Sequence, residues 1–83
     1  MGMNEWIAAG VKQSAQPRVT LNGRGEVLVE GHTGLFSYDT ARVRIRTPLG
    51  ILEIRGQDLV IGYFGAEDLM VRGRVDGVGI EGE

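Results

Sequence analysis

Between positions 42 and 55 of this 83-residue chain, four arginines fall where one surface could collect them. Arg42, Arg44 and Arg46 alternate with Val43, Ile45 and Thr47, and Arg55 lies on the following strand-like run. A planar guanidinium presents a fork of donors matched to carboxylate or phosphate, so such a face suits an acidic protein segment, an anionic lipid or a nucleic acid. Arg72 and Arg74 repeat the alternation further along and complete the candidate partner-binding set. The plain alternative is a solvated face balanced by Glu53, Asp58 and Glu81, since each exposed ion pair contributes little. Binders of single-stranded nucleic acid interleave aromatic rings with basic residues, and no aromatic residue stands between Arg42 and Arg55.

Other reactive side chains are sparse. His32 is the single histidine, flanked by glycine and threonine in the turn-like run Gly31-His32-Thr33-Gly34, and it reads as a solvated turn residue. As a general base it would need a nucleophile and an orienting acid; Thr33, Ser37 and Thr40 are near in sequence, but no motif places them. One histidine, no cysteine and scattered carboxylates give no metal-ligand spacing, and Glu67, Asp68, Asp76, Glu81 and Glu83 lack the glycine-bearing calcium-loop pattern. Asn22-Gly23-Arg24-Gly25 is too short for a phosphate-binding glycine loop. The expectation is no catalytic residue, no metal site and no cofactor.

The elements that position the arginines are strands. The period of two puts Val43 and Ile45 on one face and the arginines on the other. Thr47-Pro48-Leu49-Gly50 reads as a tight turn. With Thr47 opposite Gly50, Ile45 meets Leu52, Val43 meets Ile54 and Arg44 meets Glu53; a one-residue slip would bury charge. Gly56-Gln57 reads as a second hairpin turn, setting Ile54 opposite Leu59, Leu52 opposite Ile61 and Arg55 opposite Asp58. The expected core is therefore Val43, Ile45, Leu52, Ile54, Leu59 and Ile61. Upstream, residues 18–21 and 26–30 read as strands about an Asn22-Gly23 turn, and Leu35, Phe36 and Tyr38 as a third, core or edge. Downstream come a loop at 65–68, a strand over 69–75 and a last turn at Asp76-Gly77, with Val75 set against Val78 and Arg72 against Glu81.

The expected fold is thus mainly β, with about eight short strands in an antiparallel, sandwich-like meander. Echoes such as Ile54-Arg55-Gly56 and Val71-Arg72-Gly73 make a stacked β-solenoid the alternative. Residues 1–16 differ in texture: Met3, Trp6, Ile7 and Val11 share helical spacing and Pro17 closes the run, which predicts a short helix ahead of a single β domain over 17–83.

Composition narrows the class. Without cysteine there is no disulfide framework, which fits a reducing compartment. No run is long and apolar enough to span a membrane, and the cytosol is the default location. The net charge of −2 argues against a general nucleic-acid binder, yet it is uneven: residues 18–55 carry six arginines against four acids, and 56–83 two against six.

The runs Pro17-Arg18-Val19-Thr20-Leu21-Asn22-Gly23, Glu30-Gly31-His32-Thr33-Gly34-Leu35, Val43 through Leu59 with its Ile54-Arg55-Gly56-Gln57-Asp58-Leu59 ending, and Asp68-Leu69-Met70-Val71-Arg72-Gly73-Arg74-Val75 together resemble the YabP/YqfC family of sporulation proteins, the YqfC branch more closely. The resemblance implies a small non-enzymatic protein of endospore formers. It would act in the mother cell as a structural or adaptor module beside a membrane-anchored sporulation partner, peripheral to the membrane facing the forespore. A homo-oligomer is compatible with it. The tail over 77–83 is richer in glycine and acid than the family's usual finish. A small β-barrel using the arginine face on nucleic acid is the second reading, and an enzyme dependent on His32 the third.

Overall fold

The computed structural model describes residues 16–81. Six strands follow in order: β1 (Arg18–Asn22), β2 (Glu26–Glu30), β3 (Gly34–Tyr38), β4 (Arg42–Thr47), β5 (Gly50–Phe64) and β6 (Asp68–Glu81). All pair antiparallel in one open sheet ordered β1-β2-β6-β5-β4-β3. The fold is mainly β, as expected, and its antiparallel ladders leave no place for solenoid coils or a closed barrel. The helix expected over 1–16 falls, but for Gln16, outside the described residues.

Local chemistry accounts for the hairpins. Gly23 adopts φ 62° between β1 and β2, a conformation that costs glycine nothing. Asp39 Oδ1 accepts the N–H groups of Ala41 and Arg42, turning the chain from β3 into β4. Thr47 Oγ1 donates to the Gly50 carbonyl at 2.7 Å while accepting the Leu49 N–H at 3.1 Å, which clamps the β4–β5 loop. The β4–β5 register is the expected one, with Thr47 opposite Gly50, Ile45 opposite Leu52, Val43 opposite Ile54 and Arg44 opposite Glu53.

Two expected turns are absent, so eight short strands become six, two of them long. Gly56-Gln57 does not reverse the chain: Ile54 faces Val78 on β6 rather than Leu59, and Leu52 faces Ile80 rather than Ile61. The reason lies just before β4. The Gly56 N–H donates to Ala41 O at 3.0 Å and the Leu59 N–H to Thr40 O at 2.8 Å, so β5 keeps a partner past the end of β4 and runs on through bulges at 55/56 and 57–60. Gly56 is glycine for close approach, because a Cβ there would collide with the Arg74 carbonyl. Asp76-Gly77 likewise stays extended within β6. The bare side of Gly77 holds the Arg55 guanidinium, and Arg72 lies opposite Glu26 and Val60, not Glu81.

The bulges divide the sheet into two halves. Residues 68–72 of β6 pair with β2, whereas 77–81 pair with residues 51–55 of β5, which in turn pair with β4. Val27, Val29, Leu69 and Val71 from the first half and Val43, Ile45, Leu52 and Ile54 from the second form one core with Leu59 and Val75, nearly all at 0% exposure. These residues join in one cluster that draws on both halves of the sheet, with Leu59 and Val75 beside the bulges between them. Five of the six expected core residues are fully buried; Ile61, paired with Val71 rather than Leu52, is only half-buried.

Candidate docking face

Strand alternation turns the core inward on β4 and leaves Arg42, Arg44 and Arg46 on the outer surface of the second half. Arg55 lies directly opposite Arg42 on β5 and so joins the same surface. Two like charges face each other there, and Glu53 lies between them: its carboxylate sits 2.8 Å from Arg42 Nε and 3.4 Å from Arg55 Nη1. Glu81 approaches Arg44 Nε at 3.7 Å, outside hydrogen-bond range. That Nε is covered from solvent and meets no acceptor among the described residues, although the Arg44 side chain as a whole stays 30% exposed.

An aromatic ring belongs to this face that the linear sequence hid. Phe36 lies outward on β3 at a bulge between Leu35 and Ser37. The guanidinium carbons of Arg46 and Arg44 stand 4.9 Å and 6.0 Å from its ring centre. Planar cations over an aromatic face are held in place without being neutralised. The face thus carries four arginines against two glutamates, net +2, around an exposed ring. The absence of aromatics between Arg42 and Arg55 held for the sequence interval but not for the surface. The signal was available in the apolar–polar alternation at Leu35, Phe36, Ser37 and Tyr38, which placed them in a strand without saying beside which one.

The other two candidates stand elsewhere. Arg72 projects from the outer surface of the first half and reaches Glu26 Oε2 at 3.2 Å, while Arg74 sits beside the bulge, 3.9 Å from Asp76. The six arginines predicted as one set form a group of four and two separate residues.

His32 is not a solvated turn residue. It is 5% exposed, its Nε2 donates to the Gly65 carbonyl at 3.1 Å, and its ring stacks on Phe64 at 5.4 Å between centres. Because a carbonyl only accepts, Nε2 carries the proton. The Gly31 and His32 N–H groups both donate to Glu67 O, so this segment ties the β2–β3 link to the β5–β6 loop. The ring is buried against Phe64 and one of its nitrogens, Nε2, finds a carbonyl, while Nδ1 is buried with no partner among the described residues. No group of three histidine, cysteine or acidic side chains is placed to hold a metal among the described residues. No helix of these residues is long and apolar enough to cross a membrane.

Fold and face together define a small antiparallel β domain with one aliphatic core and a cluster of arginines turned outward on one half. Residues 13–83 match the YabP family, and the chain belongs to that family. Over 60 residues it is 32% identical to a Bacillus subtilis (strain 168) protein named uncharacterized protein YqfC; the match covers 72% of this chain and 64% of that relative. The chain therefore spans somewhat less than two thirds of that relative's length. The resemblance read in the sequence is borne out at the level of family.

Proposed function

We propose that this chain is a non-enzymatic adaptor of spore formation, working in the mother cell, whose arginine face docks an acidic segment of a membrane-associated sporulation protein. The observation that carries the reading is the mismatch on that face. Four guanidinium groups share two glutamates, and Arg44 keeps a covered Nε with no acceptor in range. A partner's carboxylate would meet the guanidinium groups of Arg42 and Arg55, which stand about half exposed and share the single Glu53. Phe36 supports the same use, since it holds Arg46 and Arg44 in position and leaves its own exposed flank for contact. Membership of the YabP family supports a setting in spore formation, and the site at the mother-cell membrane is part of the proposal.

The test is recovery of the full chain with mother-cell membrane proteins, compared between wild type and an Arg42→Glu plus Arg44→Glu variant. Loss of recovery in the variant, with unchanged urea stability, supports the docking face. Equal recovery removes it.

A further inference from the structure

Five consecutive pairs, from Ile51 with Glu81 to Arg55 with Gly77, run without a bulge along one margin of the end of β6. Along the other margin β2 has already ended. Its last pair sets Glu26 against Arg72, and beyond it only the Gly73 and Val75 N–H groups reach across, to the Gly25 and Arg24 carbonyls. Residues 76–81 therefore form an unpaired edge among the described residues. Of the other margins, β1 is equally regular but is entered from Pro17 and carries Arg18, β3 is bulged at Phe36, and residues 57–64 of β5 carry two register shifts. Natural edges are usually blunted by lysine, proline or a bulge, and Gly77-Val78-Gly79-Ile80-Glu81 has none of these.

The β4–β5 hairpin determines which backbone groups face outward. Thr47 and Gly50 flank a two-residue loop and so form its hydrogen-bonded pair. Alternation then turns Leu52 and Ile54 toward β4, in keeping with the Gly56 N–H on Ala41 O, and turns Ile51, Glu53 and Arg55 toward β6. Opposite them, Glu81, Gly79 and Gly77 turn toward β5. The N–H and C=O groups of Val78 and Ile80 are left pointing out.

We infer that the occupant of this edge is a second copy of the chain, paired antiparallel about Gly79. In that register Val78 exchanges hydrogen bonds with Ile80 of the copy and Ile80 with Val78, so every outward group of this stretch is matched. Val78 and the exposed Ile80 meet on the inner side, where both are apolar. On the outer side Glu81 falls opposite Gly77 of the copy, over which the Arg55 guanidinium already lies. That brings carboxylate to guanidinium twice, once on each side of the axis. Gly79 meets Gly79 at a non-hydrogen-bonded pair, where opposed strands approach most closely. The two-fold axis stands perpendicular to the sheet, so both arginine faces lie on the same side of one continuous sheet.

Gly79 makes the test clean, because a Cβ there meets nothing within 4 Å and its neighbour across β5 is Glu53. Gly79→Lys leaves the single copy room and a favourable neighbour, but sets two lysines face to face across the axis. Sedimentation velocity on the full chain is expected to show a dimer for wild type and a shift toward monomer for Gly79→Lys, about fivefold or more in dissociation constant. The chain has no cysteine, so Gly79→Cys provides a single thiol. Mild oxidation is expected to link it into a disulfide dimer on a non-reducing gel, while Ser37→Cys on β3 stays unlinked. A wild-type monomer throughout the concentration range overturns the inference. So does a dimer that Gly79→Lys leaves intact or that Gly79→Cys fails to cross-link.

Discussion

Replacing Gly56 by alanine tests the close approach of β5 and β6 at the bulge. A methyl group there would collide with the Arg74 carbonyl and come within 3.0 Å of Leu59 Cδ2. Both neighbours belong to structure that cannot simply swing away, one being backbone of β6 and the other a fully buried side chain. Relief requires β5 and β6 to part at the bulge, which strains the Gly56 N–H bond to Ala41 O and the adjoining ladder. One or two weakened hydrogen bonds cost about 1 kcal/mol each, and forced repacking adds about 1 to 3 kcal/mol, so the expected destabilisation is about 2 to 5 kcal/mol. For a domain of this size the whole stability is on the order of 4 to 12 kcal/mol. In urea, with a slope of about 1 kcal/mol per molar, the midpoint should fall by about 2 M or more. Gly25→Ala is the control: its φ is not positive, a Cβ there meets only the Gly73 carbonyl at 3.8 Å, and it should change stability by less than about 1 kcal/mol. Equal midpoints for the two variants would refute the continuous β5 strand and the close approach at its bulge.

Further expectations concern single contacts. Leu59→Ala should cost about 2 to 5 kcal/mol, since Leu59 is fully buried at the junction of the halves, whereas Leu49→Ala at the exposed hairpin tip should stay within about 0.5 kcal/mol; thermal melts of both decide this. His32→Ala removes the hydrogen bond to Gly65 O and the stack on Phe64, and should destabilise by about 1 to 3 kcal/mol with faster amide exchange at positions 31 and 32, measured by NMR. Tyr38→Phe deletes the donor to Leu59 O at 3.1 Å and should cost about 1 kcal/mol in urea melts.

The sequence and the structure agree most closely where one local signal decided one local shape. Pro48 and Gly50 together with strict alternation on both sides left a single register that separates apolar from charged residues, and it is the register found. Asn22-Gly23 worked for the same reason. Glycine misled where its role was tertiary. Gly56 and Gly77 look like turn residues in a one-dimensional reading, yet one makes room for a carbonyl and the other for a guanidinium, both supplied by distant strands. Missing those two turns also shaped the reading of the arginines. The short hairpins expected would have put Arg72 and Arg74 on a strand further along, whereas the long β6 carries Arg72 to the first half and leaves Arg74 beside the bulge. Phe36 and His32 were unreadable in the same way. Their positions depend on which strand lies beside β3 and on which loop meets the β2–β3 link, and neither contact is encoded nearby. The hairpin register did set Arg44 opposite Glu53, yet the Glu53 carboxylate sits on the diagonal Arg42 and on Arg55 two residues along its own strand.

The most direct test of the docking face is genetic. In the organism that carries this chain, an endospore former under the proposal, its gene would be deleted and replaced either by wild type or by the Arg42→Glu plus Arg44→Glu variant, and heat-resistant spores counted. The expected result is a loss of resistant spores on deletion, recovery with wild type, and no recovery with the variant present at normal abundance. Normal spore counts in the deletion strain, or full recovery with the variant, would contradict it.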